Sequence, residues 1–186
     1  RTPSIVTILA EPDEAIQVQL SWEASSEEDL SQDRSGDLDL HLKHPNAGSW
    51  FSQPYDCFFN NPDPDWGQLD NPRDNPFLDL DDFSGTGPEN LTLAIPEDTS
   101  LLGGEYVVGV DYYENIDRID GWEYGPIRAY IRIFINGVPT WDYTEGGDPG
   151  FKLMNGRKHF WEVASISWPD GIVTKIDRYY EETPQP

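Results

Sequence analysis

Apolar side chains recur at every second position along most of this chain, and that period of two excludes helical folds before any other feature is weighed. In AIQVQLSW, Ile16, Val18, Leu20 and Trp22 fall on one face, with Gln17 and Gln19 on the other. DLDLHLKH turns Leu38, Leu40 and Leu42 inward and sets Asp37, Asp39, His41 and Lys43 outward. PIRAYIRIFING alternates through Ile127, Ala129, Ile131, Ile133 and Ile135, then reaches Asn136-Gly137, a two-residue hairpin signal that returns into VPTWDY. GEYVVGVDYYE and SIVTILA read as further strands, and KHFWEVASISW pairs with GIVTKIDRY across a Pro169-Asp170-Gly171 turn. No stretch holds a helical period over three turns. About nine or ten strands with regular turn signals predict an all-β fold, an antiparallel β-sandwich.

At 186 residues the chain suits a single domain. The strand pattern covers residues 15–178, and the ends, 1–4 and 181–186, read as linker stubs. The start at Arg1 predicts a piece of a longer protein. Only 37% of residues are hydrophobic, but 7 Trp, 9 Tyr and 8 Phe supply the buried area that a disordered chain lacks. Acidic residues outnumber basic ones 35 to 12, for a net charge of −23. Such a surface repels nucleic acid and anionic membranes and attracts divalent cations. No apolar run is long enough to insert in a membrane, and no signal peptide is evident. Cys57 is the sole cysteine, so it forms no internal disulfide and reads as a buried thiol.

Residues 44–90 break the pattern. Pro, Asn, Asp, Gly and aromatic residues dominate this long, acidic loop region, and a loop of that length in a compact domain needs its own source of order. Its end reads LDLDDFSGTGPEN, with Asp79, Asp81 and Asp82 crowded and no Lys or Arg beside them. Alternation sets Asp37 and Asp39 on one face, roughly 6.5–7 Å apart along the strand, and does the same for Asp79 and Asp81. If the two strands are neighbours, the carboxylates converge at the sheet rim. Two like charges at 4 Å repel by about 4 kcal/mol at an effective dielectric near 20. Oxygen-only donors select Ca²⁺, with the turns of SGTG offering carbonyls and Glu89 closing the shell. The spacing is not that of an EF-hand, because Phe83 stands where a ligand is required. The bland alternative is an acidic edge that discourages aggregation.

The motifs DLDLHLKHP, YDCFFNNPDPDWG, LDLDDFSGTGPENLTL, YVVGVDYYEN and FWEVASISWPDGIVTKI together resemble the YfaP-like family of bacterial secreted β-sandwich domains, found in extracellular proteins of myxobacteria. The resemblance spans about residues 15–178. It implies a non-catalytic module of a secreted or cell-surface protein, and it supports a metal site of Asp37, Asp39, Asp79, Asp81, Asp82 and Glu89. The chain departs from that pattern in the acidic segment SSEEDLSQDRSG before DLDLH.

Other chemistry has less support. GxSxG, HExxH and P-loop patterns are absent, and the chain reads as non-enzymatic. His41 reads as a partner of the acidic site or a surface residue rather than a zinc ligand, and His44, at a turn, need not meet it. A carbohydrate-binding module is a second reading, with Trp122 and Tyr124 of YYENIDRIDGWEYG as the candidate ligand-binding residues. Trp50, Phe51, Trp66, Tyr112, Tyr113, Trp141 and Tyr143 are further aromatics for such a role, against a default of packing. A third reading is a filament subunit that donates SIVTILA to a neighbour's sheet edge. The expected partners are a glycan, another surface protein or a second copy.

Overall fold

A computed structural model describes residues 14–26, 36–79, 87–113, 125–143, 150–182 and 184. Two antiparallel sheets pack face to face. The first has the order β4 (Pro76–Leu78), β5 (Glu89–Leu93), β1 (Ile16–Ala24), β7 (Ile127–Ile135), β8 (Val138–Asp142), and β9 (Lys152–Met154) also pairs with β7. The second runs β11 (Ile172–Tyr180), β10 (Phe160–Ser167), β6 (Tyr106–Tyr112), β2 (Leu38–Lys43), β3 (Asp56–Cys57). One helical turn, α1 (Thr99–Leu102), precedes β6, capped by the Asp98 side chain and closed by Gly103.

The alternation read from the sequence is the alternation of burial. Along β1 every second residue from Ile16 to Ala24 is buried. Ile16, Val18, Leu20 and Trp22 meet Leu38, Leu40, Leu42, Val108, Val110 and Trp161 from the opposite sheet. Each such side chain contributes about 1.5–3 kcal/mol by leaving water. Asn136 and Gly137 both take positive φ, as the predicted hairpin requires.

Two features differ from the expectation. Residues 44–90 are not one loop: β3, β4 and the start of β5 lie within them. The residues before and after β3 also cover the outer face of the second sheet. Trp50 packs at 4.6 Å from Phe160, and its indole N–H donates to Glu162 at 2.9 Å. Gly109 makes room for this, because a Cβ there would come within 2.7 Å of the Trp50 ring. Trp50, Trp66 and Tyr112 are therefore packing residues.

Asp177 fastens the sheets together along the β11 side. It lies at the β-bulge between β10 and β11, with φ of 51°. Its carboxylate accepts from Lys152 of β9 at 2.8 Å, Trp161 of β10 at 3.0 Å and Tyr143 at 2.9 Å. Burial pushes this carboxyl up, but Lys152, Tyr143 and Trp161 together outweigh it and hold it below its ordinary value. A depressed carboxyl stabilises the fold above its unfolded pKa of about 3.9 and loses that contribution as pH falls through the folded value. Wild-type protein should therefore lose more stability than Asp177→Asn between about pH 5 and pH 2, read from denaturant midpoints; parallel curves would contradict this role.

Candidate functional site

One end of the sandwich holds Asp37, Asp39 and Glu89 of the acidic positions that the sequence singled out, and its shape is set by Trp22. The indole N–H of Trp22 donates to Gly36 O at 3.0 Å, which fixes the entry into β2. The Trp22 ring also lies against Gly87, where a Cβ would stand 2.7 Å away and φ is 70°. That contact fixes the entry into β5. Gly36 is confined in turn by Tyr112, whose ring a Cβ would meet at 2.6 Å. The glycines of GDLDL and GPEN are thus required by aromatic packing, and the carboxylates that follow them are positioned by it.

Glu89 is fully buried at the start of β5, opposite Leu20. Partner β3 pairs only with Leu42 and Lys43 of β2, so the edge of β2 is open at Leu40. The Glu89 carboxylate fills that place, accepting the Leu40 N–H at 2.7 Å across the gap between the sheets. Asp39 stands directly opposite Asp111 of β6, and the two are only 2% and 6% exposed. Asp37 shares the face of Asp39 by alternation, and its carbonyl accepts from Tyr113 N at 3.0 Å. All four residues make at least one further interaction. Asp111 was missed in the sequence, where a lone aspartate in VGVDYYE carries no motif.

Asp79 does not join this group. Strands β2 and β4 lie in different sheets, so the expected convergence of neighbouring strands does not occur. Asp79 extends the β4–β5 ladder, with its N–H on Asn90 O at 2.9 Å. That places its exposed side chain on the outer face of the first sheet, whereas Glu89 faces inward. Asp81, Asp82, Trp122, Tyr124 and the SIVTILA strand lie outside the described residues. Among the described residues, no three His, Cys, Asp or Glu side chains are grouped closely enough to hold a metal ion.

His41 also differs from expectation. His41 points outward from β2, yet it is completely buried, because Trp50, Phe51, Phe58 and Phe160 surround it with centroids at 4.8–5.9 Å. Its Nδ1 meets Asp56 Oδ2 at 3.0 Å, and the same oxygen accepts the Phe51 N–H at 2.6 Å. His44 accepts the Asn46 N–H at Nδ1, so its Nε2–H donates to Glu97 at 2.8 Å. Burial lowers the His44 pKa against the opposing pull of Glu97. Both ring nitrogens of His44 are engaged, which leaves neither for proton transfer. Cys57 is buried as expected, its thiol donating to Pro62 O, and burial together with the charges of Asp56 and Asp63 pushes its pKa up.

No family model, curated protein or solved structure matches the chain. No helix among the described residues is long and apolar enough to cross a membrane.

The Asp56 carboxylate is the tie between β2 and its aromatic cover. Asp56→Ala should cost about 2–4 kcal/mol in a denaturant titration, because it leaves His41 Nδ1 and the Phe51 N–H buried without an acceptor. A cost within the usual surface range of about 0.5 kcal/mol would mean that the cover is held by its aromatic rings alone.

Proposed function

We propose that this chain is a non-catalytic, Ca²⁺-binding β-sandwich module of a bacterial secreted or cell-surface protein, with a role in adhesion or assembly. The observation that carries the metal reading is the placement of Asp39 opposite Asp111, both buried, at the end of the sandwich where Glu89 reaches across from the other sheet. Like charges in direct cross-strand opposition destabilise a sheet, and burial adds to that cost. A divalent cation reverses the sign of the arrangement. Asp37, Asp39, Asp111 and Glu89 offer only oxygen, which suits Ca²⁺ and its flexible shell of roughly 6–8 ligands. No three of these carboxylates are grouped closely enough to hold the ion by themselves, so the shell would close only with Asp81 and Asp82 as proposed further donors, while Asp79 drops out because it faces away. The resemblance to the YfaP-like family supports the extracellular setting, as does a net charge of −23 at extracellular calcium levels.

Thermal unfolding in EDTA and in millimolar Ca²⁺, with Asp39→Asn/Asp111→Asn alongside, tests the reading. Saturation at roughly 100 times the dissociation constant adds about 2.7 kcal/mol. For a domain of this size that is an upward shift of about 5–11 °C. The shift should be absent in the variant, and the variant in EDTA should be at least as stable as wild type, since it has lost the repulsion. A variant that is much weaker in EDTA, with no calcium shift in wild type, would assign both aspartates to internal pairing and overturn the proposal.

A further inference from the structure

A concavity lies on the outer face of the first sheet, away from the acidic end. It encloses about 210 Å³ between β1, β7 and β8, and Gln19, Ser21, Tyr130, Arg132, Asp142 and Tyr143 line it. Register explains the grouping: Gln19 stands opposite Arg132, Ser21 opposite Tyr130, and Arg132 opposite Asp142.

The charge of Arg132 sets this place apart. The chain has 12 basic residues against 35 acidic ones, so partners for a cation are abundant. Other cations have found them: Arg128 pairs with Glu23, Lys152 with Asp177 and Arg178 with Glu162. Arg132 is exposed and makes no ion pair or hydrogen bond among the described residues, its register partner Asp142 included. A planar guanidinium left open in a concave site is the group that recognises a carboxylate through two parallel hydrogen bonds.

The walls define the rest of the ligand. Tyr130 donates to Glu23 at 2.6 Å and Tyr143 to Asp177 at 2.9 Å, so both rings are held in place. Burial, reinforced by those carboxylates, raises both phenols to about 12, and the rings add no negative charge. Gln19 gives its amide N–H to Asn90 at 3.1 Å, which leaves its carbonyl as an acceptor beside the Ser21 hydroxyl and the Asp142 carboxylate. Hydroxyl-rich ligands match such a set of acceptors. The volume is below the usual range of about 300–1,000 Å³ for drug-sized sites and suits one sugar ring. We propose that this pocket binds a carboxylate-bearing saccharide, with Arg132 holding the carboxylate and Asp142, Gln19 and Ser21 holding ring hydroxyls.

The test is an amide chemical-shift titration in EDTA, which keeps it independent of the proposed metal. The probes are glucuronate, galacturonate and N-acetylneuraminate, with glucose and acetate as controls. At least one sugar acid should bind saturably and at least about tenfold better than either control, with shifts centred on Gln19, Tyr130 and Arg132. Arg132→Gln should weaken that binding at least about tenfold, while Arg73→Gln, an exposed arginine on the β3–β4 connection, should leave it unchanged. Unchanged unfolding midpoints check that both variants fold. Equal binding of acetate would reduce the site to a general anion contact. That result, binding that survives Arg132→Gln, or no saturable binding of any sugar acid overturns the proposal.

Discussion

Strand β2 is buried on both of its faces. Leu38, Leu40 and Leu42 enter the core between the sheets, while Asp39 and His41 point the other way and are equally enclosed. Carboxylate and imidazole groups do not leave water without compensation, so every neighbouring element has to answer them. Residues around β3 supply an aromatic cover for His41 and the Asp56 carboxylate that anchors it. β6 instead sets a second carboxylate, Asp111, opposite Asp39, the opposition on which the calcium proposal rests, and β5 supplies Glu89 to the open edge at Leu40. The same strand thus organises both the aromatic cover around His41 and the acidic end.

Between these parts the aromatic residues act as spacers. Trp22 holds the backbone at Gly36 and presses on Gly87, so a single core tryptophan from the first sheet sets where both acidic strands begin. Gly109 does the corresponding work on the outer face, where it admits Trp50 over β6. The 7 tryptophans of so acidic a chain are therefore in large part a scaffold. A scaffold of that kind lets carboxylates stand closer together than a polar loop would keep them.

Much of this was legible in the sequence, and the failures share a cause. Alternation gave the long strands, though not β3, β4, β5 or β9, and the face of Asp37, Asp39 and His41. It could not say what lies over a face, so His41 was read as a partner of the acidic site or a surface residue although Phe51, Phe58 and Phe160 enclose it. Nor could it say which sheet a strand joins. Asp37 and Asp79 look alike in DLDL and LDLDD, yet one belongs to the second sheet and the other to the outside of the first. Asp111 became a candidate only through its register with Asp39, a long-range pairing that no local pattern encodes. Arg132 was invisible for a similar reason, since its lack of a partner among the described residues is a property of three strands together.

A backbone amide chemical-shift titration with Ca²⁺ addresses the acidic end most directly. The account predicts saturable changes concentrated at residues 36–40, 89–90 and 111–113, with the Leu40 amide among the largest because it is held by Glu89. Changes spread evenly over the acidic surface, or none in these three segments, would contradict it and return the buried carboxylates to a purely architectural role.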